Sequence, residues 1–596
     1  MEQSKYQWDL TEMVESLSAF SHTYDEIQKQ MKEAASFRGH ILDSSETFFQ
    51  FLDQWELITR KSEHLFIYAN LKHELDMRDI ANQQLLERAT LLQQEVQECL
   101  GFAFSEILEA GSEKVFQYVE EDTRLEVYRF YLKELFSQNE HILPKEQETL
   151  LYQVLGVFGT GADVYHQLYD IDVDYGTILD DHQQAVVLTN HNYRYYLSSV
   201  SERVRRETYE AVYGYWKHHR NSVVAALKGY MKEQRFLAQV QQYETPLQMS
   251  LYPDHVDTDV FHRLIAITRK NIPLLKRYLS MKKHILKMDS MHPYDLSVVS
   301  VSDFVQSFSY EEAIEIVTNA LEPLGKRYQN DLKQAFSDGW IDVYAKPGRY
   351  TGSYQWSSYD SKPYLLVNYD GSVQSVSTLA HELGHAMHTY YAKKQDYLYA
   401  TYPNFLIEMA PLVNEILIYH YLIEQAKTKK EKQYYLLELL EMIRTTVYRQ
   451  VLFAEFEWKL YETMEAGNSL FESDVSDLYY HLIQEYYGEE IAESADDLIR
   501  YEWMLNTYFF RSFYTSSYAI GFICALAVAS ELVKGTEGVK ESYVEFLESG
   551  SSDYPISLLR KMGIDLSTDE AFQKAFDYFQ QVQDELEQLS IEKEVK

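Results

Sequence analysis

Residues 378–387 read Thr-Leu-Ala-His-Glu-Leu-Gly-His-Ala-Met, and the rest of the chain is read outward from this decapeptide. On an α-helix, His381 and His385 stand on one face, one turn apart. Glu382 lies about 100° further round the same helix. This is the His-Glu-x-x-His arrangement, in which two neutral imidazoles hold a zinc ion and the carboxylate takes a proton from the attacking water. The chemistry it points to is metal-assisted hydrolysis.

The flanking sequence supplies the context that a pentapeptide alone lacks. An apolar, β-rich run, Pro363 to Asn368 (PYLLVN), lies just upstream, where zincin-type sites place an edge strand for substrate backbone to pair with. Gly384 inside the helix costs about 1 kcal/mol relative to Ala and signals the close approach of another group. A helix expected over Asn404 to Ala426 carries Glu408 and Glu415, two turns apart on nearly the same face, with Pro411 early in it or bending it. A zinc site needs a third protein ligand and one open position. Glu408 is taken as that ligand, and Glu415 as the group holding a ligand imidazole by its other ring N–H. His388 shares the face of His385, but one straight helix cannot wrap three imidazoles round one ion. It is assigned a supporting or structural role.

Composition bounds the rest. The 596 residues exceed one compact core, so two or more lobes are expected. Only 11 Pro and 22 Gly occur, with no Pro before Pro144, which predicts long helices. The 51 Tyr are read mainly as amphipathic packing. A formal charge of −37 argues against nucleic acid as a partner, because phosphate binding needs clustered Lys and Arg. Cys99 and Cys524 are the only cysteines, so neither a disulfide framework nor a Cys-based zinc site is expected. The start, MEQSKYQWDL, has no apolar signal core, and the longest apolar run, Ala519 to Ala529, is too short to span a bilayer. A soluble cytoplasmic protein with no membrane partner is expected.

In chain order, amphipathic helices are predicted over Phe48 to Thr59, Glu63 to Leu75 and Ile80 to Leu108. Strict alternation at Tyr169 to Tyr175 (YDIDVDY) predicts a half-buried strand, followed by a second short one at Val186 to Leu188. A domain boundary is placed near residue 190, dividing an N-terminal helical lobe, 1–190, from a catalytic domain, 191–596. Helical pattern resumes over Ser199 to Gln241, Ala313 to Phe336 (broken near Pro323), Tyr434 to Glu465 and Ala492 to Thr507. The irregular stretch Lys346 to Trp356 reads either as a plain surface loop or as a substrate-contacting one. In the latter, Gly348 and Gly352 serve as pivots and Tyr350 and Tyr354 as donors. Tyr514 and Tyr518, four apart, are candidates to hydrogen-bond the oxyanion formed as water attacks.

HELGHAMH (381–388), EMAPLVNE (408–415), the PGRYTGSY loop and SYAIGF (517–522) together resemble oligopeptidase F, the bacterial branch of the thimet oligopeptidase and neurolysin family. Trp8-Asp9-Leu10 and Tyr554 to Gly563 resemble that family's opening and closing segments. The resemblance implies a mainly α, two-lobed helical shell enclosing a deep channel walled by both lobes, with a small β-sheet beside the site. It also implies a cytoplasmic endopeptidase for short unstructured peptides. It further implies one zinc ion held by His381, His385 and Glu408, with Glu382 as base. Where members carry a histidine in a Pro-His-Phe-Tyr setting, this chain has Thr507-Tyr508-Phe509-Phe510, and a tyrosine common further on is Ser516. Tyr508 therefore joins Tyr514 and Tyr518 as a candidate oxyanion donor. The alternatives are a zinc carboxypeptidase and a non-catalytic helical peptide-binding protein. Oligomeric state is left open.

Overall fold

The computed structural model describes residues 6–143, 147, 150–151, 154–155, 158–299, 306–488, 491 and 497–591. The protein is 73% helical. The described strands are few: β1 (Thr177–Leu179) and β2 (Ala185–Val187) form an antiparallel hairpin. β3 (Ile341–Asp342), β4 (Tyr354–Trp356) and β5 (Tyr364–Leu366) form a three-stranded sheet in the order β3–β5–β4. Mainly α is the observed class.

The helices follow local chemistry. The two expected over Phe48 to Leu75 are one 31-residue helix, Ser45–Leu75, capped by the Ser44 side chain on Thr47 N–H. With no Pro or Gly between them, nothing breaks the second from the first. The helix expected from Ile80 to Leu108 divides instead at Gly101, into Ile80–Leu100 and Phe102–Ala110. Pro323 breaks its helix as expected, leaving Tyr310–Ala320 and Gly325–Ser337. The expected strand at Tyr169 to Tyr175 is not one. Tyr169 to Ile171 close a π-helical turn, Gln167–Ile171, and irregular chain leads to β1 at Thr177. Its apolar and acidic alternation came from a helix end running into coil. The stretch expected as a helix over Ala492 to Thr507 begins outside the described residues; what is described of it is a 3-10 helix, Asp497–Leu505.

Two compact units emerge, and they differ from the division at residue 190. One comprises residues 1–140, 306–418 and 531–562; the other 141–305, 419–530 and 563–596. The physical reason lies in the first unit's core. Trp8 Nε1–H donates to the Trp340 carbonyl at 2.8 Å. Leu65, Tyr68 and Leu92 from the N-terminal helices pack in one cluster with Tyr364 and Leu366 of β5. The N-terminal helices are thus the backing of the sheet, a long-range contact that no local periodicity reports. The second unit is built round the 39-residue helix Glu202–Val240, whose buried Trp216 stacks on Tyr165 at 6.0 Å.

Two helical segments, Asn404–Gln425 and Tyr514–Lys534, are long and apolar enough to cross a membrane, yet 72% and 78% of their apolar windows are buried inside the protein. Core packing accounts for that composition.

Candidate metal centre

The motif lies on the helix Val373–Ala392, which Ser372 starts by accepting the Ser375 N–H at 3.0 Å. The His381 and His385 rings stand 5.1 Å apart, centroid to centroid. The next helix begins at Met409, so Glu408 sits in the turn just before it, not within it. Its backbone carbonyl accepts the Leu412 N–H at 3.1 Å, and Pro411 falls in the first turn, where its missing N–H costs nothing.

Gly384 explains how Glu408 reaches the histidines. A Cβ at this position would lie 2.6 Å from Pro411 N and 2.9 Å from the Ala410 carbonyl carbon. Only a hydrogen fits there, and it lets the two helix backbones touch. Asn414 ties them further, donating Nδ2–H to the Ala380 carbonyl at 3.0 Å, wholly buried. In consequence Glu408 Oε2 lies 3.4 Å from His381 Nε2 and 3.7 Å from His385 Nε2. The three ligand atoms all fall within 4.8 Å of one another. Donors 2.0–2.1 Å from a tetrahedral ion stand about 3.4 Å apart, so the set fits a divalent metal.

The outer partners are in place. His381 Nδ1–H donates to Glu415 Oε1 at 2.7 Å, and Ser377 Oγ–H to Glu415 Oε2 at 2.7 Å. That network assigns the His381 tautomer and turns its Nε2 lone pair towards Glu408. Burial works against a charged His381, but the carboxylates of Glu408 and Glu415 outweigh it and raise its pKa. The same pair of carboxylates favours a cation in place of that proton. His385 is pushed down to about 3 by burial and by the neighbouring His381, so it is a neutral ligand at any ordinary pH.

Glu382 is 6% exposed, and among the described residues no hydrogen-bond partner meets its Oε2. Burial pushes its carboxyl up to about 7; His381 opposes the rise, while Glu408 and Glu415 add to it. A carboxylate balanced near neutrality suits a general base.

One expectation is narrowed, to a structural role for His388, and two are corrected. His388 supports no ligand: it is buried, stacks on Tyr402 at 3.9 Å and 9°, and neither ring nitrogen has a hydrogen-bond partner among the described residues. Burial depresses its pKa to about 3, and it packs as a neutral aromatic ring. The apolar run Pro363 to Asn368 is not an edge. It forms β5, paired with β3 on one side and β4 on the other, which is why it reads as continuously apolar. The edge is β4. Leu365 N–H bonds to the Trp340 carbonyl on the β3 side, so its partner Gln355 is a non-hydrogen-bonded pair. The Gln355 backbone N–H and C=O therefore point away from the sheet. Thr389 of the motif helix donates to Gln355 Oε1 at 3.1 Å.

The loop from Lys346 is pinned rather than hinged. Arg349, 4% exposed, bonds Asp342 and the carbonyls of Asp342, Tyr344 and Val367. The Gly348 carbonyl accepts Met77 N–H at 2.7 Å, and Tyr350 N–H donates to the Glu74 carbonyl at 3.0 Å. Gly348 has φ +87°, and a Cβ there would meet the Arg78 and Asp76 side chains; Gly352 faces the Tyr350 ring. Tyr350 stays 39% exposed, while Tyr354 lies in β4. Tyr508, Tyr514 and Tyr518 belong to the second unit. Their rings cluster at centroid distances of 4.8, 5.7 and 6.0 Å.

Ser377, Asn414, Gln355 and Arg349 carry parts that sequence reasoning missed. Ser377 is one turn before His381, a spacing that points to it; the other three act through contacts distant in sequence.

Comparison with known proteins agrees with the geometry. The model of peptidase family M3 matches residues 195–578, and that of oligopeptidase F matches residues 106–175. Oligopeptidase PepF of Bacillus subtilis is 30% identical over 98% of this chain and 87% of its own. The crystal structure of a Chlamydophila abortus protein superposes with a TM-score of 0.90 at 30% identity, covering 98% of each chain. Oligoendopeptidase-F from Enterococcus faecium gives 0.75 at 27% identity, covering 96% of this chain and 99% of that one. With relatedness of this kind running from one end to the other, the chain belongs to peptidase family M3 and is a metalloendopeptidase of the oligopeptidase F group.

Proposed function

We propose that the protein is a zinc-dependent endopeptidase that cuts short, unstructured oligopeptides in the cytoplasm. The observation that carries this reading is the convergence of His381, His385 and Glu408 donor atoms beside a buried Glu382. Two imidazole nitrogens, one carboxylate oxygen and an open position are a donor set suited to zinc. When bound, a divalent ion there polarises the scissile carbonyl and lowers the pKa of its water. Glu382 takes the proton as that water attacks and delivers it to the leaving amine. Glu415 and Ser377 hold the His381 ring in register. The outward N–H and C=O of Gln355 on β4 accept one residue of an extended peptide backbone. Tyr508, Tyr514 and Tyr518, read from the sequence as donors to the developing oxyanion, belong to the second unit, and Tyr514→Phe tests that role.

A peptide substrate is supported by the relatives, an oligopeptidase and an oligoendopeptidase by name. A cytoplasmic location is supported by the charge of −37 and by two unpaired cysteines, Cys99 and Cys524. The test is digestion of a mixed peptide library that includes blocked-end peptides, with and without a chelator, reading cut positions by mass spectrometry. Internal, chelator-sensitive cuts that zinc restores are expected. Trimming of single C-terminal residues, or cleavage that a chelator leaves unchanged, would overturn the proposal.

A further inference from the structure

Alternation along β4 sends its side chains to opposite faces of the sheet. Gln355 faces the motif helix, where Thr389 Oγ1–H donates to its Oε1 at 3.1 Å, and its own Nε2–H reaches Ser357 Oγ at 3.4 Å. Thr389 stands four residues beyond His385, about 6 Å along the helix axis, so this point of the edge lies close to the metal ligands. Tyr354 and Trp356 face the other way, with their β5 partners Leu366 and Tyr364, towards the core made by the N-terminal helices. All of these residues belong to the first compact unit.

That second face keeps two large rings in solvent. Phe66 of the helix Ser45–Leu75 meets the Trp356 ring edge-on at 5.9 Å, yet Trp356 remains 36% exposed. Near the other end of β4, Tyr350 stands edge-on to Tyr354 at 5.9 Å and is just as open. Its ring is seated on Gly352, where a Cβ would come within 2.5 Å of Tyr350 Cε1. Asn368 Nδ2–H fixes the same stretch by donating to the Thr351 and Gly352 carbonyls at 3.0 and 2.9 Å.

The outer side of β4 is the free edge of its sheet. An antiparallel peptide held there by Gln355 N–H and C=O places one side chain beside Gln355, on the polar face. The side chains before and after it fall on the far face, opposite Tyr354 and Trp356, as non-hydrogen-bonded pairs, where side chains approach most closely. One of them meets Trp356 and Phe66, the other Tyr354 and Tyr350. Rings already held by packing lose little freedom when they are covered, so their burial goes into affinity.

We propose that Trp356, backed by Phe66, and Tyr350 select bulky apolar side chains at the two substrate positions flanking the residue paired with Gln355. The residue between them gains nothing from apolar bulk. This rests on the oligopeptidase reading and on β4 as the substrate edge, and binding is therefore measured apart from cleavage.

The probe is a fluorescent, blocked-end octapeptide of Ala and Ser through which a single Phe is walked. Cut positions are read by mass spectrometry and kcat/KM on the active chain, with Kd by anisotropy on the full chain carrying Glu382→Gln. Cleavage should follow the Phe at two offsets that differ by two residues, each raising kcat/KM about tenfold over the parent peptide. Trp356→Ala should bring the gain at one offset within twofold, and Trp356→Phe should keep most of it. Tyr350→Ser should do the same at the other offset, and it carries the comparison where Trp356→Ala lowers the melting temperature. Favoured offsets on adjacent residues, no favoured offset, or a preference that survives both Trp356→Ala and Tyr350→Ser overturns the inference. Peptides that bind with this preference yet are never cut would sink the proposed function alone; peptides cut without it would sink only this inference.

Discussion

Gly384→Ala tests how the centre is built. The substitution is favourable by helix propensity, worth about 1 kcal/mol. The new methyl, however, would sit 2.6 Å from Pro411 N and 2.9 Å from the Ala410 carbonyl carbon, where ordinary contact between heavy atoms is about 3.5–4.0 Å. The two backbones must part by about 1 Å, at an overpacking cost of roughly 1–3 kcal/mol. The net stability change is then small, about 0–2 kcal/mol of loss. Function should suffer far more. Glu408 is two residues from Ala410, and metal–ligand distances tolerate only about 0.2 Å. Metal affinity should fall by more than the roughly 10- to 100-fold typical of losing an outer partner. Turnover at saturating zinc should fall about 100-fold. Metal content after dialysis against buffered zinc, peptide hydrolysis and thermal unfolding read the three effects separately. A variant that is more stable, fully loaded and fully active would refute the claim that this contact positions Glu408.

Other substitutions probe single roles. Glu382→Gln should keep its metal and lose about 10²–10⁴-fold in kcat, measured with metal content alongside; a fully active variant would remove Glu382 as the base. Glu415→Ala should weaken zinc binding about 10- to 100-fold in a competition titration, because His381 loses its anchor. Tyr514→Phe should lower kcat about 100-fold with unchanged metal content if its phenol serves the oxyanion, and unchanged turnover would exclude it. Glu457→Gln probes the protein's response to pH. Glu457 is 2% exposed, both oxygens accept from Phe513 N–H at 3.0 and 3.1 Å, and burial pushes its pKa from 4.5 up to about 8 against the effect of that bond. The folded chain holds a proton there that the unfolded chain releases above 4.5, so stability is lost as pH rises from about 4.5 to 8. That loss amounts to about 3 kcal/mol by pH 7. Gln keeps an acceptor without the charge, so urea unfolding of the variant should show a flatter pH profile and greater stability at pH 7. Equal slopes would count against it.

The metal centre was legible in sequence because its core is local. The spacing of His381 and His385 is a property of one helix, and the hydrolytic chemistry follows from the residue types alone. Gly384 likewise announced a close neighbour through its cost in a helix; Glu408 and Glu415 both reach His381, but Glu408 does so from the turn before the helix, not from the shared helix face that their spacing suggested. The class, mainly α, followed from the scarcity of Pro and Gly.

What only the tertiary structure decided depends on contacts between distant segments. An apolar run such as Tyr364 to Leu366 is compatible with an edge or a central strand, and only its pairing with Ile341 and Tyr354 segments shows which. His388 reads as polar until Tyr402 and Phe546 are found against its ring. The loop beyond Lys346 reads as mobile until Arg349 and the chain around Glu74 and Met77 are seen to hold it. The discontinuous units likewise follow from Trp8 bonding to Trp340, 332 residues away, and from the N-terminal helices packing on the same sheet. Periodicity records how one segment meets its surroundings, but not which segment supplies them.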